Sequence, residues 1–290
     1  MYNEFYGLRE LPFTITPDTE YFMNRAGYQD ALNVLLVALR SGEGFIKVTG
    51  EVGLGKTLLC RKLLASLDRN ECVTAYIHNP FLQPDSLLFA VADELKLEYP
   101  ENINQHKLLR LITKTLLDIH RSKRSVVLCM DEVQAMPVET LETLRLLTNL
   151  ETEKRKLIQV VLFGQPELDF VLSQPSIRQL KQRITFSYKL LPLNRTALRA
   201  YINHRLGVAG YQGRELFTRR ALDSLHRSTQ GIPRLINILA HKAMLAAYGQ
   251  GSGQVNHNHI KEAVRDTEET RNNRGGLFPW RPAILRWLLG

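Results

Sequence analysis

Eight consecutive residues, Gly50-Glu51-Val52-Gly53-Leu54-Gly55-Lys56-Thr57, constrain this chain more than any other stretch. They read glycine, four residues, then Gly-Lys-Thr. Phe45-Ile46-Lys47-Val48-Thr49 precedes them, short and apolar enough for a buried strand, and Leu58–Leu67 follows with helical spacing. A strand, a glycine turn and a helix in that order aim backbone N–H groups and the positive end of a helix at one point, which is a cradle for phosphate oxygens. A nucleotide, ATP, is therefore expected against Gly50, Glu51, Val52, Gly53, Leu54, Gly55, Lys56, Thr57 and Leu58. Lys56 would reach the β- and γ-phosphates, and the Thr57 hydroxyl would hold Mg²⁺.

The chain has 290 residues, 44% of them hydrophobic, enough to build a full core in one large or two modest domains. No run approaches the roughly 18 apolar residues of a spanning helix. Met1–Tyr6 has neither a basic nor an apolar leader segment, so a cytoplasmic location is expected. Cys60, Cys72 and Cys129 lie in apolar segments without metal-type spacing and read as buried thiols. The net charge of +9 admits nucleic acid, an anionic membrane surface or nucleotide alone. Arg195, Arg199, Arg205, Arg214, Arg219, Arg220 and Arg227 make the second half basic, either as a solvated helical surface or as a nucleic-acid face.

Residues 1–24 read as an irregular segment that packs on the first domain through aromatic anchors. A helix is expected over Tyr28–Leu39. Strands are expected at Phe45–Thr49, Cys72–Ile77, Ser125–Met130, Gln159–Phe163 and Ile184–Tyr188, alternating with helices at Asp85–Leu95, His106–His120 and Val138–Leu150. Near-continuous apolar strands alternating with helices indicate an α/β fold with a parallel sheet covered on both faces. After Pro192 only helices are expected: Arg195–Gly207, Thr218–Ser228, Pro233–Tyr248 and Asn258–Thr267. This predicts an α/β domain over 1–192, a small all-helical lid over 193–268, and a linker and tail over 269–290. The tail segment Leu277–Leu289 is apolar, basic and carries two tryptophans. It is a candidate for an interfacial membrane contact or a partner groove, or it folds back on its own domain. His257-Asn258-His259 is read as helix capping rather than a metal pair.

Asp131-Glu132 ends the Ser125–Met130 strand. In a parallel sheet that strand end lies beside the phosphate loop, so Asp131 can hold the Mg²⁺ shell and Glu132 can orient the attacking water. Gln165, just past the fourth strand, is a candidate contact for the γ-phosphate or the water, or a turn residue before Pro166. Positive charge for phosphoryl transfer would come from Arg183, before the last strand, and from Arg234 in Gly231-Ile232-Pro233-Arg234.

Together these motifs resemble the AAA+ ATPases, P-loop NTPases with a helical lid. The resemblance implies that Gly50–Thr57 is Walker A and that Met130-Asp131-Glu132 belongs to Walker B. It implies Gln165 as sensor 1, Arg183 as the arginine finger with Arg178 as rival, and Arg234 as the sensor-2 arginine. Phe5-Tyr6-Gly7-Leu8, Pro12-Phe13, Pro17-Asp18, Phe163-Gly164-Gln165-Pro166-Glu167-Leu168 and Gln182-Arg183-Ile184 narrow it. They look like the general secretion pathway protein A (ExeA-type) group over about residues 1–268, and the layout is most similar to its MshM-type, MSHA pilus-biogenesis members. That resemblance implies ATP hydrolysis by a homo-oligomer with nucleotide at subunit interfaces, acting in type IV pilus or type II secretion assembly. ExeA-type proteins carry a membrane helix and a peptidoglycan-binding region after the ATPase. Neither is read in these residues, which favours a cytoplasmic role, with a peripheral inner-membrane contact through the tail. Two alternatives share the core motifs: a DNA-associated, TniB-like transposition ATPase, and a nucleotide-gated scaffold with little turnover.

Overall fold

The computed structural model describes residues 2–23, 27–78, 81–151 and 156–267; the tail over 269–290 lies outside them. The chain divides into two compact units. One is Pro17–Leu191, and the other joins Met1–Thr16 to Pro192–Gly290.

In Pro17–Leu191, strands β1 (Phe45–Thr49), β2 (Cys72–Ile77), β3 (Ser125–Met130), β4 (Ile158–Gly164) and β5 (Ile184–Lys189) form a parallel sheet in the order β2-β3-β4-β1-β5. The helices of this unit are α2 (Tyr28–Arg40), α3 (Lys56–Ser66), α4 (Pro84–Glu94), α5 (Gln105–Arg121), α6 (Val138–Leu147), α7 (Glu167–Val171) and α8 (Arg178–Arg183); α1 (Tyr2–Tyr6) belongs to the other unit. Period two sorts the faces of β3. Val126, Leu128 and Met130 join a core with Leu87 and Val91 of α4, Leu108, Ile112 and Leu116 of α5, and Leu141 and Leu144 of α6. The other face of β3 carries Cys129, buried near Cys60 of α3. Both thiols are buried, whereas Cys72, at the start of β2, is only half-buried. β4 is buried along its whole length. It tolerates Gln159 because the amide donates to Leu39 O and Glu43 O, both at 2.9 Å.

One helix ends earlier than the apolar pattern suggests, and two more are not announced by it. α6 stops at Leu147, not Leu150, because Thr148 turns its hydroxyl back onto Arg145 O at 2.8 Å. α7 and α8 are short helices with no long apolar stripe to announce them.

The second unit holds α9 (Arg195–Val208), α10 (Arg219–Thr229), α11 (Pro233–Gly249) and α12 (His257–Arg265). Asn194 and Thr218 cap α9 and α10 through Ala197 N at 2.8 Å and Ala221 N at 3.1 Å. The same logic explains His259, whose Nδ1 accepts from Asn256 N at 3.1 Å.

The first 16 residues depart from expectation. They belong to this helical unit, not to the sheet, and they are not irregular throughout. Tyr2 and Tyr6, one helical turn apart on α1, are both buried. Tyr2 Oη meets His241 Nδ1 at 2.8 Å, and Tyr6 Oη donates to Ser252 O at 3.2 Å. Arg205 is also not part of a basic surface: it is buried, donating through Nε to Pro12 O and through Nη1 to Tyr201 Oη at 3.1 Å. Asn237 Nδ2 adds a bond to Thr14 O at 3.0 Å. These side chains satisfy backbone carbonyls of the N-terminal segment that burial would otherwise strand. Arg195, Arg199, Arg214, Arg219, Arg220 and Arg227 are exposed.

Candidate functional site

Strand register puts the candidate residues on one edge. Thr49 pairs with Gly164, and Met130 pairs with Leu162, so Gly50, Asp131 and Gln165 leave the sheet together at its carboxyl end. Gly50 N donates to Gly164 O at 3.2 Å, which fixes the mouth of the glycine loop against β4.

The loop needs its glycines. Gly53 and Gly55 have φ of +81° and +82°, in the left-handed region. A Cβ at Gly50 would stand 3.0 Å from Leu190 Cβ. Tyr28 supplies a brace that sequence reading did not single out: its hydroxyl donates to Leu54 O at 2.5 Å.

Lys56 is buried, 5% exposed, and its ammonium donates to Gly50 O at 2.8 Å and Glu51 O at 3.1 Å. Burial pushes its pKa below the usual lysine value, while Glu132, Asp131, Glu51 and Glu167 push the other way. Thr57 Oγ1 donates to Asp131 Oδ2 at 2.6 Å, joining the helix after the loop to the end of β3.

Glu132 sits at φ 54°, ψ 34°, a left-handed conformation uncommon for a residue with a side chain. Such strain persists where surrounding bonds over-determine it. Here Gln134 Nε2 donates to Glu132 Oε2 at 2.7 Å, and Gln165 Nε2 donates to the same oxygen at 3.1 Å. The Gln134 carbonyl in turn accepts from Gln165 N at 2.9 Å. Burial raises the Glu132 pKa, yet the two amides, with Lys56 and His78, outweigh it and leave the carboxyl below its ordinary value. Glu132 is thus a fixed carboxylate at neutral pH. Gln134 was missed because nothing in a lone glutamine two residues after an acidic pair marks it.

The hydroxyl of Thr57 and the carboxylate of Asp131 form a hard oxygen donor set, which fits Mg²⁺. The buried ammonium and the glycine turn before α3 fit phosphate oxygens.

Arg183 is not gathered here. Arg183 closes α8 just before Ile184, which pairs with Phe45 at the start of β1. It lies at the amino edge of the sheet, a strand length of about 16 Å from the glycine loop. There its Nη1 donates to Thr148 Oγ1 at 3.4 Å. Arg178 is exposed at the other end of α8. Arg234 is exposed on the first turn of α11, in the helical unit.

Residues 39–172 match the AAA domain family. General secretion pathway protein A of Aeromonas hydrophila is 46% identical over 291 residues, covering 100% of this chain; the chain spans about half, 52%, of that relative's length. Among solved structures, Cdc6p of Pyrobaculum aerophilum aligns with TM-score 0.65 at 17% identity, covering 87% of this chain and 71% of its own. The RuvB Holliday junction branch migration motor of Thermotoga maritima aligns with TM-score 0.58 at 16% identity, covering 89% and 73%. At such identity these two speak for the fold alone, a P-loop sheet with a helical region. Fold and whole-chain similarity agree: the chain belongs to the AAA+ P-loop family, within the general secretion pathway protein A type.

Proposed function

We propose that this chain binds and hydrolyses ATP as an oligomeric switch in the assembly of a type II secretion system or an MSHA-like type IV pilus. The observation that carries the reading is the fixed Glu132 carboxylate, held by Gln134 and Gln165 beside the Thr57–Asp131 pair at the mouth of the glycine loop.

In this reading Gly50–Leu58 cradle the phosphates, and Lys56 leaves the loop carbonyls for the β- and γ-phosphate oxygens. Thr57 and Asp131 hold Mg²⁺, which when bound neutralises charge on those oxygens. Glu132 accepts a hydrogen bond from a water and aligns it with the terminal phosphorus; Gln165 keeps Glu132 in place. The water oxygen bonds to phosphorus as the bond to the bridging oxygen breaks, giving ADP and phosphate. Arg183 of one subunit completes the site of the next, which makes turnover depend on assembly. Arg234 reports nucleotide state to the helical unit. The similarity to a secretion-pathway protein supports that setting. Among the described residues no helix is long and apolar enough to cross a membrane, and the tail is the proposed peripheral contact with the inner membrane.

The test is ATP turnover against protein concentration. Specific activity that rises with concentration, is absent in Glu132→Gln with ATP binding kept, and is absent in Lys56→Ala with binding lost, supports the switch. A flat, near-zero rate with tight binding, alone and with secretion or pilus assembly proteins added, would favour a scaffold.

A further inference from the structure

The helical unit carries an apolar surface that its described residues leave uncovered. Phe5 of α1 is 45% exposed, and Leu245 and Tyr248 of α11 are 38% and 42% exposed. Leu245 and Tyr248 lie one turn apart and so share a face of α11. The Phe5 ring meets that of Tyr248 edge-on, with centroids 5.3 Å apart. Exposed apolar side chains scattered singly are ordinary, but large ones gathered on two adjoining helices mark a contact surface.

The chain leaves this unit close to that surface. α12 runs back along α11: Gln250 Nε2 donates to Glu262 Oε2 at 3.2 Å, and Lys242 Nζ donates to Asp266 O at 2.7 Å. The described residues end at Thr267, so the chain departs beside Lys242, one turn from Leu245. Tyr248 is about 9 Å further along the helix than Lys242. The stretch from Thr267 to Leu277 can extend to about 33 Å, so Leu277–Leu289 is within reach of it. That segment, outside the described residues, combines Trp280, Trp287 and leucines with Arg281 and Arg286. The surface offers the complement: Phe5, Leu245 and Tyr248, with Glu4 exposed beside Phe5 and Glu262 exposed near the end of α11.

We propose that the Phe5–Leu245–Tyr248 surface is the docking site of this chain's own segment Leu277–Leu289, within one molecule. Docking covers an apolar surface with an apolar segment and brings Arg281 and Arg286 to an acidic rim. It is independent of the nucleotide-binding reading. The same residues are proposed above to meet the inner membrane, so docking and membrane contact exclude each other.

The chain's two tryptophans, Trp280 and Trp287, both lie in that segment, so tryptophan emission from the full chain reports on it directly. The folded wild type should emit at shorter wavelength than the chain in denaturant, with its tryptophans shielded from acrylamide. A Phe5→Ser, Tyr248→Ser double variant, and separately Leu245→Glu, should shift the emission toward that of the denatured chain and lose the shielding. Phe170→Ser, at an exposed apolar position of the other unit, should leave both unchanged. Emission that neither set of substitutions moves, or that changes on dilution, would overturn docking within one molecule. Wild-type emission that is already solvent-like, and moves only when phosphatidylglycerol vesicles are added, would overturn it while leaving the membrane contact standing. Circular dichroism melts identify a variant that fails to fold, and the other then decides.

Discussion

Gln165 Nε2 donates to Glu132 Oε2 at 3.1 Å, so the residue proposed as sensor 1 acts on the carboxylate proposed to orient water. The bond stabilises the ionised form and, with Gln134, holds the Glu132 pKa below its ordinary value against burial. Removing it should raise that pKa. If turnover requires the carboxylate, the acid limb of the rate profile moves to higher pH. Gln165→Leu and Gln134→Leu are each expected to shift kcat against pH in this direction. A profile that keeps its acid limb and merely drops in height would mean that the amides do not tune Glu132.

Gly164→Ala tests the same network from behind. A Cβ there would stand 2.8 Å from Leu168 Cδ2 and 3.2 Å from Gln134 Oε1. Something must shift, and overpacking of this kind costs about 1–3 kcal/mol. Stability by chemical denaturation should fall by that amount. Turnover should fall more than nucleotide affinity, because the displaced Gln134 serves Glu132. Equal losses in both would point to collapse of the loop instead.

Much of this was legible in the sequence, for reasons that differ by residue. The glycine loop and the β3 end announce themselves because their chemistry needs fixed spacing: Gly53 and Gly55 must reach positive φ, and Asp131 must follow a buried strand. Strand order beyond adjacency was not legible, since β1 lies between β4 and β5 only through long crossovers. Tyr28 carries no motif because its role is a hydrogen bond to Leu54 O, and Gln134 carries none because its amide works only once the fold brings Gln165 N to it beside Glu132. The N-terminal segment misled for a related reason. Its aromatics show that it packs, but only Arg205 and Asn237, about two hundred residues on, show where.

Tyr28→Phe isolates the brace on the loop. Its hydroxyl bond to Leu54 O lies in a buried place, so deletion leaves that carbonyl short of a donor. A loss of about 1–2 kcal/mol in unfolding free energy is expected. Nucleotide affinity should weaken with it, since the loop then has to be ordered by the ligand. Unchanged stability would show that another donor takes over at Leu54.

Gly231 precedes Pro233-Arg234 in the helical unit with φ +77°, and an added Cβ would stand 2.1 Å from Leu193 O. The Gly231 carbonyl also accepts from Leu193 N at 2.9 Å. No side chain can be admitted without breaking this contact. Gly231→Ala should therefore cost more than about 2 kcal/mol, combining strain at positive φ with a clash. Circular dichroism melts would register it as an earlier transition.

Arg183 sits at the amino edge of the sheet, held by Thr148 Oγ1 at 3.4 Å, while the glycine loop opens at the carboxyl edge. Strand length alone, about 16 Å, keeps it from the nucleotide of its own chain. If it takes part in hydrolysis it must do so in a neighbour. Arg183→Ala should then bind ATP and turn over at no concentration, and Lys56→Ala should fail to bind. Mixed together, the two variants should recover part of the activity, because a Lys56→Ala subunit can lend its intact Arg183 to the intact loop of an Arg183→Ala subunit. A mixture as inactive as its components, in solutions where light scattering shows mixed assemblies, would remove Arg183 as the finger and leave Arg178 to be tested the same way.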